Sequence, residues 1–187
     1  MIDFRKAKYI ISAPDYSLRP KDRLPEIVFI GKSNVGKSTL INLLTGQKLA
    51  YSSKSAGKTK LLNYFLIDDS FYLVDSPGYG YTAYGSKEDE SFSKMMEGYF
   101  KNPLLKGAVL LCDVRRSLME AERNMISYLE EEGIPFVLVF TKSDKALQKE
   151  KAKAKKDASS YKPFSLCFTG LKEGREDIRK AVSALLK

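Results

Sequence analysis

The sequence predicts a three-layer α/β domain: a six-stranded, mostly parallel sheet with one antiparallel strand and helices on both faces. Three observations carry this expectation. From residue 108 onward, continuous apolar runs alternate with helical stripes, the pattern of parallel strands covered on both sides. Two β-rich runs, 63–67 and 71–74, are separated only by Asp68-Asp69-Ser70, so they pair as a hairpin and one strand runs antiparallel. The apolar run Ile27–Ile30 leads straight into a Gly-rich stretch and then a helical pattern with Leu40, Ile41, Leu43 and Leu44.

Taken in order, residues 1–24 read as an N-terminal extension lying on the domain, with one short extended candidate at Tyr9-Ile10-Ile11. The domain proper spans 25–187, opening with a core strand at 26–31 and a helix from Lys37 to Thr45 that ends near Gly46. Residues 47–60 are polar, rich in Ser and Lys and without periodicity, a loop long enough to be functional. A second loop runs from Tyr79 to about Glu90, and the helix after it shows Phe92, Met95, Met96, Tyr99 and Phe100 on one stripe, which reads as core packing. Strands at 108–112, 136–140 and 164–168 then alternate with helices marked by Ala121, Met125, Tyr128 and Leu129, by a Lys/Ala-rich run at 145–158, and by Ile178, Ala181, Val182 and Leu185.

Composition bounds the function. With 187 residues and 43% apolar content the chain sustains one full core. No apolar run approaches the ~20 residues that span a bilayer. The N-terminus lacks a signal-peptide core and the C-terminal ALLK offers no prenylation cysteine, so no membrane anchor and a cytoplasmic location are expected. The absence of His excludes imidazole zinc sites and His-based triads. Cys112 and Cys167 fall on strands with another between them, about 9–10 Å apart, beyond disulfide reach, and read as small buried hydrophobes. A net charge of +9 suggests a polyanionic partner.

The Gly-rich stretch is Gly31-Lys32-Ser33-Asn34-Val35-Gly36-Lys37-Ser38, followed by Thr39. G-x-x-x-x-G-K-[ST] between strand and helix points backbone N–H groups into an anion nest at the helix N-terminus. Lys37 then reaches the β- and γ-phosphates and the Ser38 hydroxyl ligates Mg²⁺. Asp75-Ser76-Pro77-Gly78, at the end of a strand about 40 residues on, supplies D-x-x-G: a carboxylate that holds Mg²⁺ through water and a glycine N–H for the γ-phosphate. Thr141-Lys142-Ser143-Asp144 follows the apolar strand 136–140 and resembles the [NT]-K-x-D motif of GTPases. There the Asp accepts hydrogen bonds from guanine N1–H and the 2-amino group, and adenine has no such donor pair. A last backbone contact to the guanine oxygen falls on Thr169-Gly170-Leu171, preceded by Phe168; this motif is supported by its order in the chain alone.

Together these stretches resemble the EngB (YihA/YsxC) family of bacterial GTPases, within the Era/Obg-like translation-factor class. The carrying residues are GKSNVGKST (31–39), AGKTKLLNYF (56–65), VDSPGYGYT (74–82), LLCDVRRS (110–117) and FTKSDK (140–145). The chain departs from the family pattern at Ala56-Gly57-Lys58-Thr59, where Pro-Gly-Arg-Thr is usual, and at Thr169-Gly170, where Ser-Ser is usual. The resemblance implies a Ras-like P-loop GTPase domain. It also implies nucleotide contacts from Gly57, Lys58, Thr59, Lys60 and Leu61, with Thr59 closing onto Mg²⁺ when the γ-phosphate is present. Gly57 and Thr59 lie in the polar loop 47–60, as a segment that orders around γ-phosphate and Mg²⁺ would.

Many GTPases place a water-orienting Gln just after D-x-x-G; here Tyr79 stands there. Slow intrinsic hydrolysis follows, completed by a partner or an ion. Lys37, Thr59 and Asn34 are the catalytic candidates. Related GTPases with Asn at the position of Asn34 use it to help bind K⁺ beside the phosphates, and the other reading is that Asn34 stabilises the loop. Arg115 and Arg116 lie far from the phosphate loop in strand order and read as structural or partner-binding. From Lys142 to Lys162 there are eight Lys and three acidic residues, a face that either contacts RNA phosphates or is simply solvated. Tyr79, Tyr81 and Tyr84 either stack on bases or pack on the protein. The resemblance implies a monomer that binds GTP and GDP, joins the large ribosomal subunit or its precursors during assembly, and is required for cell division and septation. The rival reading is a guanine-nucleotide-binding module without hydrolysis. A P-loop kinase or ATPase would lack Thr141–Asp144, and a membrane-signalling GTPase would carry a lipid anchor.

Overall fold

The computed structural model describes residues 2–51, 61–79 and 87–187, residues 87–89 by backbone alone. Its strands are β1 (Ala7–Ala13), β2 (Glu26–Gly31), β3 (Leu62–Ile67), β4 (Phe71–Asp75), β5 (Leu105–Asp113), β6 (Phe136–Thr141) and β7 (Ser165–Phe168). Its helices are α1 (Lys37–Thr45), α2 (Lys87–Phe100), α3 (Glu120–Glu131), α4 (Gln148–Ala158) and α5 (Arg175–Leu185). The strands form one sheet in the order β1-β3-β4-β2-β5-β6-β7. Pairings β4–β2, β2–β5, β5–β6 and β6–β7 are parallel, and β3 runs antiparallel to both its neighbours.

The central strands are buried on both faces because each alternate side chain meets a helix. On one face Ile27, Phe29, Val109, Leu111, Val137 and Val139 pack against Leu40, Ile41 and Leu44 of α1 and Ile178 and Val182 of α5. On the other, Val28, Ile30, Leu110, Leu138 and Phe140 meet Phe92, Met96 and Tyr99 of α2, Ile126 and Leu129 of α3, and Ala154 and Ala158 of α4. This is the expected three-layer arrangement, and it leaves the C-terminal ends of the parallel strands on one rim, where open α/β sheets bind ligands.

The sheet has seven strands where six were expected. The extra one, β1, lies within the segment expected as an extension and pairs antiparallel with β3, from Ala7 opposite Ile67 to Ala13 opposite Leu62. A bulge between Tyr9 and Ile11 breaks its alternation. On this edge Tyr9, Ile10 and Ile11 are all exposed, which hides the strand from any test of hydrophobic period. The hairpin between β3 and β4 turns with Asp68 and Asp69 at φ 47° and 49° and Ser70 N–H donating to Ile67 C=O, a type I′ turn.

Two helical expectations shift. In α3 the buried residues are Glu122, Ile126 and Leu129, whereas Ala121 is exposed. The Lys/Ala-rich helix starts at Gln148 because residues 143–145 form a separate 3₁₀ turn. Cys112 and Cys167 are free and buried on β5 and β7, with β6 between them, and burial pushes both thiols up.

Candidate nucleotide-binding site

Residues 31–38 leave the C-terminal end of β2 and enter α1 through two left-handed positions, Asn34 (φ 61°) and Gly36 (φ 108°). Gly36 is the residue before α1 and has no side chain with which to cap the first-turn N–H groups of that helix. Successive N–H groups are therefore aimed into a concavity, with no acidic side chain in the first turn to compete for them. Val35 is buried, Lys32, Ser33, Gly36, Lys37 and Ser38 are half-buried, and Asn34 and Thr39 stand at the exposed rim.

The D-x-x-G segment closes against this loop. Asp75 ends β4, next to β2 in the sheet, and its buried carboxylate accepts a hydrogen bond from Lys37 Nζ. Ser76 Oγ donates to Phe29 C=O at 2.8 Å and anchors the turn to β2. Beyond it, Ser33 N–H donates to Tyr79 C=O at 3.0 Å and Tyr79 N–H to Gly31 C=O at 3.3 Å. Pro77 and Gly78 bridge the two contacts, and a Cβ added at Gly78 would meet Ser33 Cα at 2.9 Å. Only a glycine allows so close an approach. Lys37 and Asp75 thus neutralise each other at the mouth of the nest. Next in sequence to Lys37 stands the Ser38 hydroxyl, and with the Asp75 carboxylate it gives two oxygen donors.

Those two hard oxygen donors suit Mg²⁺, which takes few protein ligands and completes its shell with phosphate oxygens and water. Among the described residues there is no cluster of three or more Asp, Glu or Cys of the kind an all-protein metal cage would use. Gly57, Lys58, Thr59 and Lys60 lie outside the described residues, as do Tyr81 and Tyr84. Leu61 lies half-buried just before β3.

Residues 141–144, the expected base loop, are tied directly to residues 31–38. Thr141, at the end of β6, donates its Oγ1 proton to Val35 C=O at 2.7 Å, and Lys142 Nζ donates to Asn34 C=O at 3.0 Å. Lys142 itself sits at φ 60°. Ser143 N–H donates to Thr169 C=O at 3.0 Å, its hydroxyl pairs with Glu173, and Thr169 Oγ1 donates to Glu173 C=O at 2.9 Å. A Cβ at Gly170 would lie 2.8 Å from Asp144 Oδ1, so the backbone of this segment walls one side of the carboxylate while Asp144 stays exposed for a ligand. Phe168 stacks on Phe140 at 5.4 Å between centroids and supports the same loop from the sheet.

Tyr79 turns away from the nest. Its ring lies against Phe92, and its hydroxyl donates to the buried Glu122 at 3.4 Å. Burial, then the Glu122 charge, pushes the phenol well above its usual range. Glu122 also accepts from Met119 N–H at 3.2 Å, closing the first turn of α3. Three contributors have no recognisable sequence signal: Glu122, Glu173 and Asp113. Of these, only Asp113 lies within one of the family-like stretches, 110–117. Its Oδ2 accepts from Lys142 Nζ at 3.1 Å and from Arg115 Nη2 at 2.7 Å, and its Oδ1 accepts from Arg115 Nε at 2.9 Å and Arg115 N–H at 3.1 Å. Burial raises its carboxyl, but the bonds from Arg115 and Lys142 outweigh burial and hold it well below the usual carboxylate range.

Comparison with known proteins agrees with this geometry. The family described as 50S ribosome-binding GTPase matches residues 26–142. A probable GTP-binding protein EngB of Porphyromonas gingivalis is 45% identical over 98% of this chain and 96% of its own length. That of Aquifex aeolicus is 45% identical over 83% of this chain and 87% of its own. Among solved structures, a probable GTP-binding protein engB superposes with a TM-score of 0.68 at 23% identity, covering 86% of this chain and 98% of that one. Aquifex aeolicus Era bound to GDP·AlF₄⁻ gives 0.67 at 19% identity, covering 87% of this chain and 56% of that one, a likeness of fold. The chain belongs to the EngB family of GTP-binding proteins.

Proposed function

We propose that this protein is a slow GTP/GDP switch that acts on the large ribosomal subunit during its assembly, and through that on cell division and septation. The observation that carries the switch is the pair of hydrogen bonds from Thr141 and Lys142 to the carbonyls of Val35 and Asn34. They tie the phosphate nest to the loop that carries Asp144, so that one ligand can engage both. Mg²⁺, held by Ser38 directly and by Asp75 through water, would neutralise charge on the β- and γ-phosphates, and the resemblance adds Thr59 to that set. Lys37 takes the β- and γ-phosphate oxygens and is drawn off Asp75 in doing so. Asp144 accepts the guanine N1–H and 2-amino protons.

Hydrolysis is slow because the side chain that follows D-x-x-G packs on Phe92, donates to Glu122 and has no amide with which to orient an attacking water. The missing positive charge is supplied from outside, by K⁺ beside Asn34 at the exposed rim or by the ribosomal partner. Support for that partner comes from the description of the matching family and from the excess of lysine between residues 142 and 162. Among the described residues no helix is long and apolar enough to cross a membrane.

One experiment tests the reading. Single-turnover phosphate release from GTP is followed in KCl and in NaCl, with and without large-subunit precursors that are also assayed for co-sedimentation. Faster release in KCl, or on addition of precursors, is expected. Equal rates in the two salts exclude the K⁺ role, and no release under any condition leaves a nucleotide-binding module without hydrolysis.

A further inference from the structure

We propose that Asp113 is a positioning residue for guanine, acting through Lys142; the inference rests on the reading of residues 141–144 as the base loop. Asp113 is the last residue of β5 and sits in register with Thr141 of β6. Its side chain is 11% exposed, against 30% for Lys142. The lysine ammonium is held at two fixed acceptors, Asn34 C=O at 3.0 Å and Asp113 Oδ2 at 3.1 Å. Its aliphatic stem is thereby fixed at its far end, between its own backbone and the two acceptors. A lysine left with the carbonyl alone would keep much of its rotamer freedom and pay that ordering cost on each binding event.

The carboxylate divides its work between its oxygens. Oδ1 receives the Arg115 N–H and Nε, a local turn that ends the strand. Oδ2 is shared between Arg115 Nη2 and Lys142. Arg115, 40% exposed, therefore stabilises the carboxylate in its ionised form rather than reaching the site itself. Asp113→Asn separates the two roles: the retained carbonyl still accepts from Arg115 N–H, while the new amide turns a donor toward Lys142.

The test is a double-mutant cycle on GDP affinity and dissociation rate, with the parent, Asp113→Asn, Lys142→Ala and the double variant. Asp113→Asn is expected to weaken GDP about tenfold, mainly through faster dissociation, in the range for loss of a charge-assisted contact. In the Lys142→Ala background the same change is expected to cost less than about twofold. A role confined to the strand end would cost the same in both backgrounds and would overturn the proposal, as would unchanged affinity in the single variant. Arg115→Ala keeps the proposal testable if Asp113→Asn fails to fold. It leaves Lys142 on Oδ2, so near-parental GDP affinity is expected, and a loss as large as about tenfold assigns the effect to Arg115 instead. A parent protein that does not bind GDP would overturn the base-loop reading itself, a result distinct from a neutral Asp113→Asn in a parent that does.

Discussion

At the scale of single residues, the proposed base pocket rests on a glycine as much as on a carboxylate. A methyl group at Gly170 would sit 2.8 Å from Asp144 Oδ1 and 2.9 Å from Asp144 Cβ, closer than real Cβ contacts allow. Gly170→Ala must therefore swing the Asp144 carboxylate or shift the backbone at Thr169, whose carbonyl holds Ser143 N–H. Guanine affinity is expected to fall several-fold, with thermal stability nearly unchanged because Gly170 is only half-buried and lies outside the core. Titration with a fluorescent GDP analogue checks this, and a parental dissociation constant would show that the loop yields without moving Asp144. The residues proposed to touch the ligand, Lys37, Ser38, Asp75 and Asp144, are legible in the sequence because each stands at a fixed offset from glycines or a strand end. Those that hold them, Asp113, Glu122 and Glu173, are not. Their partners lie 29, 43 and 30 residues away, and a single carboxylate at such a separation leaves no local pattern.

At the scale of elements, β2 carries the phosphate loop at one end and Glu26 at the other. Glu26 is 1% exposed; its Oε2 accepts from Tyr99 at 2.8 Å and Asn102 at 2.9 Å, and Arg19 lies 3.8 Å from Oε1. Burial raises this carboxyl, and the bonds from Tyr99 and Asn102 only partly counter it. With the folded-state value raised, the native protein holds the proton to higher pH than the unfolded chain does. Its contribution to stability is then greatest at low pH and falls as pH rises from the unfolded Glu value, about 4.3, through the folded one. Glu26→Gln keeps an acceptor for Tyr99 and Asn102 and removes the titration. The difference in Tm, variant minus parent, is expected to increase as pH rises above the unfolded Glu value, and a difference that stays constant would sink the account. The six strands and five helices read from the sequence announced themselves by period and punctuation. Of β1 only the extended stretch Tyr9–Ile11 showed, and not its place in the sheet, since its partner β3 lies far along the chain and the bulge between Tyr9 and Ile11 scrambles its faces.

At the scale of the molecule, the site is assembled from β2, β4, β5, β6 and the segment after β7, so one ligand tethers most of the sheet. Among the described residues these segments are held to one another by hydrogen bonds that include Lys37 to Asp75, Ser33 to Tyr79, Thr141 to Val35, Lys142 to Asn34 and Ser143 to Thr169. A ligand that spans phosphate nest and base loop binds only the folded arrangement, and mass action transfers its binding energy to global stability. With GDP at about a hundred times its dissociation constant the gain is about 2.7 kcal/mol. For a domain of this size that corresponds to a rise in Tm of roughly 5–11 °C. ADP carries the same phosphates but offers Asp144 no donor pair, so at equal concentration it is expected to shift Tm far less. Guanosine carries the base without phosphates and is expected to do the same, because Lys37 and the start of α1 gain nothing from it. The thermal melt of the whole chain thus reads both halves of the site at once. Equal shifts with GDP and ADP would mean that the phosphate nest alone binds and that Asp144 does not read the base. A shift with guanosine equal to that with GDP would mean the opposite, a base loop that binds without help from the nest.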